Sequence, residues 1–66
     1  MEIQLNGTAH HLPDAQLLSE LIASMQLTQQ AIAVAVNRQI VPRPAWATRT
    51  LQAADQVDIV RAIGGG

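Results

Sequence analysis

Alternation of apolar and polar residues opens the chain. Met1-Glu2-Ile3-Gln4-Leu5 has the period of two expected of a strand with one buried face. Asn6-Gly7 follows, a pair suited to a tight hairpin because a type I′ turn needs positive φ at both central positions. Thr8 to Leu12 then returns as a second strand. Pro13 and Asp14 end it, with Asp14 offering a capping oxygen to the next element. Leu17, Leu18, Leu21, Ile22 and Met25 recur at helical spacing, with Ser19, Glu20, Ala23 and Ser24 opposite. That stripe predicts an amphipathic helix of about three turns packed on a sheet. Beyond the polar connector Thr28-Gln29-Gln30, the run Ile32-Ala33-Val34-Ala35-Val36 is almost wholly apolar, as a central strand would be. Asn37-Arg38 starts a turn, and Gln39-Ile40-Val41 is a short strand closed by Pro42. Arg43-Pro44-Ala45-Trp46 reads as an irregular or 3₁₀ turn, with Trp46 folding back over one end of the core. A polar turn occupies Leu51 to Gln56. The last strand, Val57 to Ile63, runs directly into Gly64-Gly65-Gly66.

The order strand, strand, helix, strand, short strand, strand predicts an α+β domain. Its sheet is mixed, of about five strands, with one amphipathic helix on one face. A chain of 66 residues has room for a single core, so the expected organisation is a domain over 1–63 and a flexible glycine tail over 64–66. One helix on one mixed sheet is the β-grasp, or ubiquitin-like, arrangement. Its central pairing of first and last strands is taken from the resemblance described below.

Composition narrows the chemistry. Hydrophobic residues make up 48% and charged residues 14%, which favours a folded domain over a disordered one. The formal net charge is −1, no basic stripe is present, and Trp46 has no Phe or Tyr beside it in the sequence, so nucleic-acid binding is not expected. The longest apolar run is far too short to span a bilayer and no export signal is visible, so a cytoplasmic location is expected. Cysteine is absent, which removes thiolate nucleophiles and ligands. Lysine is absent too, so no side-chain amine of a second copy offers itself to an activated acyl group.

No side-chain active site emerges. His10 and His11 are adjacent on a strand and point to opposite faces, so they cannot share one metal ion, and none is expected. Ser19, Ser24 and the threonines lack a base at strand or helix spacing. Asp55 and Asp58 flank a turn and are expected to be solvated.

The tail is the remaining candidate. Consecutive glycines form the narrowest possible thread, one that lets a backbone carboxylate enter a channel in another enzyme. A carboxylate becomes an electrophile once its oxygen is a leaving group. Attack of the Gly66 carboxylate on the α-phosphorus of ATP would give an acyl-adenylate, and a sulfur nucleophile could then displace AMP to leave a thiocarboxylate. Gly64 and Gly65 would be the lead that threads partner active sites.

Ile32-Ala33-Val34-Ala35-Val36-Asn37, Ile40-Val41-Pro42-Arg43, Trp46, Leu51, Asp55-Gln56-Val57 and the terminal Gly-Gly together resemble the ThiS family of thiamine-pathway sulfur carriers, over the full length. The resemblance implies a β-grasp protein activated by an E1-like adenylyltransferase of the ThiF type, which uses ATP. It implies sulfur supplied by a cysteine-desulfurase relay and delivered to a thiazole synthase of the ThiG type. Carried onto this chain, Gly66 is the adenylated and thiolated residue, with no cofactor held by the carrier itself and no catalysis of its own. One departure stands out: the family's turn before the last strand usually reads Gly-Asp, here Ala54-Asp55. If that position needs positive φ, alanine costs about 1 kcal/mol.

If Ile32, Val34, Val36, Val57 and Ile59 face the helix, then Ala33, Ala35, Val60 and Ala62 form a small apolar patch on the open face, a candidate docking surface for partner enzymes. Arg43 and Arg61 are expected to be solvated. Alternative readings are the small subunit of molybdopterin synthase and another ubiquitin-like sulfur carrier or modifier.

Overall fold

A computed structural model describes residues 1–61. Its five strands are β1 (Glu2–Leu5), β2 (Thr8–His11), β3 (Ile32–Val36), β4 (Gln39–Ile40) and β5 (Gln56–Arg61). They form one sheet in the order β2-β1-β5-β3-β4, with β1 parallel to β5 and the other neighbours antiparallel. The first and last strands are thus adjacent and β5 is central, as expected. A single helix, α1 (Leu18–Ser24), packs on one face, and a 3₁₀ turn covers Arg43–Ala45.

The two hairpins form where the sequence allows positive φ. Asn6 and Gly7 have φ of 50° and 81°, and Asn37 and Arg38 have 52° and 69°. These are the φ signs of type I′ turns, whose twist matches that of the flanking strands.

The core sits between the sheet and α1. Ile3, Val34, Val36 and Val57 from the sheet meet Leu18, Leu21 and Ile22 from the helix, with Leu12, Val41, Trp46 and Leu51 closing the ends. Each fully buried aliphatic side chain contributes roughly 1.5–3 kcal/mol. Trp46 does fold back: its indole N–H donates to the Val41 carbonyl at 2.9 Å inside the core.

The helix is shorter than its apolar stripe suggests. It begins at Leu18, because the backbone just before it is committed elsewhere. Leu51 N–H donates to Gln16 C=O and Leu18 N–H donates to Arg49 C=O, each at 2.8 Å, and Leu17 bridges to Thr50. Ala15, at φ 59°, makes the bend that allows this pairing. Asp14 therefore does not cap α1; its carboxylate takes the Met1 amino group at 3.2 Å. Capping comes from Glu20, whose Oε1 accepts the Leu17 N–H at 2.9 Å. No helix among the described residues is long and apolar enough to cross a membrane.

Candidate functional site

β5 is the last described element before the glycines in the sequence, so its anchoring is the part of the site that the structure defines. On one side it pairs with β3 over five residues, from Val36↔Val57 to Ile32↔Arg61; on the other it pairs with β1 at Gln4↔Gln56 and Leu5↔Val57. Two asparagine side chains extend this. Asn37 Oδ1 accepts the Gln56 N–H at 3.0 Å, and Asn6 Oδ1 accepts the Ile59 N–H at 2.8 Å.

The turn entering β5 is built on Asp55. Contrary to expectation this carboxylate is buried, at 8% exposure. Its Oδ1 accepts from Asn37 Nδ2 at 3.0 Å and its Oδ2 accepts from the Gln52 N–H at 2.9 Å. Burial is tolerated because both oxygens are satisfied. Asp58, the other acidic residue of this region, is exposed on the open face.

Arg43 is likewise not a free surface charge. Its guanidinium donates to the carbonyls of Thr28 and Gln30, the latter at 2.7 Å, and lies 4.4 Å from the Trp46 ring centroid. The clasp fixes the loop that enters β3 beside Ile32, which pairs with Arg61 at the far end of β5. Arg61 itself is exposed, as expected.

Ala33, Ala35 and Val60, three of the four residues expected to form an apolar patch, share the open face. Directly opposed residues share a face in an antiparallel ladder. Ala33 opposes Val60, Ala35 opposes Asp58, and Ile40 opposes Ala35. Ala33 is exposed, Ala35 half-buried and Val60 63% exposed. Ile40, at 71%, is the patch's most exposed large side chain and was missed by the sequence reading. Strand alternation held the signal, since Val41 beside it is buried. The fourth predicted patch residue, Ala62, and the tail residues Gly64, Gly65 and Gly66 lie outside the described residues.

His10 and His11 point apart as expected. His10 opposes Ile3 on the core side, and His11 opposes Glu2, with Nε2 3.4 Å from the carboxylate. Among the described residues no group of three His, Asp or Glu side chains comes together.

The model of the ThiS family matches residues 3–66. The chain belongs to the ThiS family. It is 36% identical over 66 residues to the sulfur carrier protein ThiS of Escherichia coli K12, covering all of both chains. It is also 33% identical over 66 residues to a thiazole synthase of Magnetococcus marinus, of which it covers 20%. Among solved structures, the crystal structure of the thiamine biosynthesis protein ThiS from Geobacter metallireducens superposes with a TM-score of 0.86 at 23% identity over the whole of both chains. A solution structure of a thiamine biosynthesis protein from the same organism gives 0.77 at 25% identity, covering all of this chain and 88% of that one. The β-grasp fold and the mixed five-stranded sheet agree with these likenesses, and the sequence resemblance is upheld.

Proposed function

We propose that the chain serves thiamine biosynthesis as a sulfur carrier, with the sulfur held on the main-chain carboxyl of Gly66. The observation that carries this reading is the family match through Gly66 joined to a central strand, pinned on both sides, that leads the chain toward that residue. Paired on both sides, β5 gives the domain a fixed strand ahead of the glycines in sequence, and Gly64 and Gly65 carry no side chain to obstruct a narrow channel.

The chemistry belongs to the partners. In an E1-like adenylyltransferase the Gly66 carboxylate oxygen attacks the α-phosphorus of ATP, pyrophosphate leaves, and a glycyl adenylate forms. A sulfur nucleophile from a cysteine-desulfurase relay then adds to the carbonyl carbon. AMP departs with the electron pair of the C–O bond. Because the relay's nucleophile is a persulfide, the product is an acyl disulfide. A partner thiol then attacks its relay-side sulfur, forms a disulfide there and releases the thiocarboxylate as the leaving group. The carrier holds no cofactor in this scheme; ATP is bound by the activating enzyme. Delivery to a thiazole synthase is favoured by the segment similar to this chain inside a protein of that name. Ala33, Ala35, Ile40 and Val60 form the docking patch on this reading.

Mass spectrometry tests it. Incubated with ATP, the adenylyltransferase and a sulfur donor, the intact protein gains the mass difference of one sulfur for one oxygen, and deletion of Gly66 abolishes the shift. Transfer of that sulfur to a thiazole synthase, and not to a molybdopterin precursor, separates the thiamine role from the molybdopterin one. An unmodified Gly66 with all components active would refute the reading.

A further inference from the structure

β5 outruns its neighbour. β1 pairs with it only as far as Leu5↔Val57 and then turns away through Asn6-Gly7, while β5 continues to Arg61. The hydrogen bonds show which main-chain groups face each side. Asn37 N–H donates to Gln56 C=O from the β3 side, and Asn6 N–H donates to Val57 C=O from the β1 side. Alternation along the strand then points the N–H and C=O of Asp58 and Val60 toward β3, and those of Val57, Ile59 and Arg61 toward β1. Asn6 Oδ1 takes the Ile59 N–H. Past that bond, the Ile59 C=O and the Arg61 N–H and C=O face a side on which no strand of the described residues lies. A shallow hollow of about 180 Å³, lined by Gln4, Gly7, Gln56 and Asp58, marks where the hairpin leaves β5.

We propose that this strand edge receives an extended segment of the adenylating enzyme, which adds beside Ile59–Arg61 as a further strand of the sheet. The inference rests on the reading of Gly66 as the activated residue. Reach selects the occupant. Gly66 follows Arg61 by five residues, so even a fully extended chain keeps its carboxyl within about 18 Å of Arg61. An enzyme that encloses that carboxyl must bring protein surface to the end of β5. Three glycines offer it no side chain to grip, whereas the main chain of β5 presents an acceptor, a donor and an acceptor in fixed spacing. An incoming strand would set an apolar side chain beside exposed Val60 on the open face and an acidic one beside Arg61 on the other.

The test compares Arg61→Pro with Arg61→Ala in ATP–pyrophosphate exchange by the E1-like adenylyltransferase, titrating the carrier. Proline removes an N–H that has no partner among the described residues and sets its ring on the edge, a placement strands tolerate. Arg61→Pro should raise the KM for carrier about tenfold or more, the size expected for losing one or two main-chain hydrogen bonds. Arg61→Ala, which keeps the N–H and loses only an exposed ion pair with the incoming strand, should stay within about threefold. Circular dichroism and the buried Trp46 fluorescence check that both variants are folded. Equal KM for Arg61→Pro and the unaltered protein, or equal losses in both variants, overturns the proposal. Amide hydrogen exchange supplies a second readout: the Arg61 N–H should gain protection in the complex with the adenylyltransferase, and no gain also overturns it. Concentration-dependent protection of Arg61 in the free protein would make the occupant a second copy and overturn it too. Failure of the unaltered protein to support exchange would instead strike at the Gly66 reading, so the two failures are distinct.

Discussion

Ala54→Gly should make this protein more stable, and the size of the gain follows from one turn. Asp55 N–H donates to Gln52 C=O at 3.1 Å, closing a four-residue turn with Ala53 and Ala54 at its centre. Ala54 has φ 71° while Ala53 has no positive φ, the φ pattern of a type II turn, which demands glycine at the second central position. An L-residue there costs roughly 1–2 kcal/mol because Cβ crowds the following carbonyl. Relief is partly offset, because glycine frees the unfolded chain by about 0.4–1 kcal/mol. Ala54 is exposed, so its methyl contributes little burial. The balance is a gain of about 0.5–1 kcal/mol, or about 2–8 °C in Tm for a domain of this size.

A companion variant isolates the cause. Ala53→Gly frees the unfolded chain equally but relieves no strain, so it should lose about 0.4–1 kcal/mol. The difference between the two variants is then the left-handed penalty alone, about 1–2 kcal/mol. Urea unfolding followed by Trp46, the sole tryptophan and 5% exposed, measures both with one native probe. An unchanged slope with denaturant would confirm that the midpoint shift reports stability. Equal loss of stability in both variants would refute the reasoning, since it would mean that Ala54 carries no strain. Ala15→Gly, at φ 59°, should behave like Ala54→Gly.

Arg43→Met should cost about 1–2 kcal/mol through the loss of two carbonyl bonds and the cation–π contact. Arg43→Lys should recover only part of that in urea unfolding, because an ammonium lacks the fork that spans Thr28 and Gln30. Asp55→Ala should cost about 2–3 kcal/mol, as it strands the Asn37 amide and the Gln52 N–H. A double-mutant cycle with Asn37→Ala should then show strong non-additivity, and plain additivity would count against the shared network. Asn6→Gly keeps a turn that accepts positive φ but removes the acceptor for Ile59, so Ile59 amide exchange should quicken while global stability changes by less than about 1 kcal/mol. Val60→Asp should weaken adenylation several-fold with stability within about 0.5 kcal/mol, and unchanged activation would remove Val60 from the docking patch.

Local patterns were read correctly where a local rule decides the outcome. Asn6-Gly7 makes its hairpin because those two residues accept positive φ, and Val34, Val36 and Val57 are buried because alternation places them on one face. The failures share a different origin. Glu20, not Asp14, caps α1 because residues 49–51 pair with the segment before it, a contact invisible within any helical window. Asp55 looks like a solvated turn carboxylate until Asn37, eighteen residues earlier, meets it. Arg43 looks like a free charge until the chain brings it against the carbonyls of Thr28 and Gln30. Long-range partners of polar side chains carry no period, so hydrophobic patterning cannot find them. Ile40 is the exception, since alternation with Val41 was available and pointed outward.

The two hairpin asparagines explain how so small a sheet can fix the strand that precedes the glycines. Each stands where positive φ is required, and asparagine is among the few side-chain residues that take that conformation readily. Glycine would satisfy the turn equally well but would end there. Asparagine adds an oxygen, and at both turns that oxygen accepts a β5 N–H, from Gln56 at the strand's start and from Ile59 past the end of β1. Without these bonds the first N–H of β5 and the first beyond its partner strand would face water, where strand ends fray. Turn chemistry and strand anchoring are thereby met by the same two residues. It follows that on its β1 side β5 is held along its entry and its middle, and that the main-chain groups of that side without a partner among the described residues belong to its last residues.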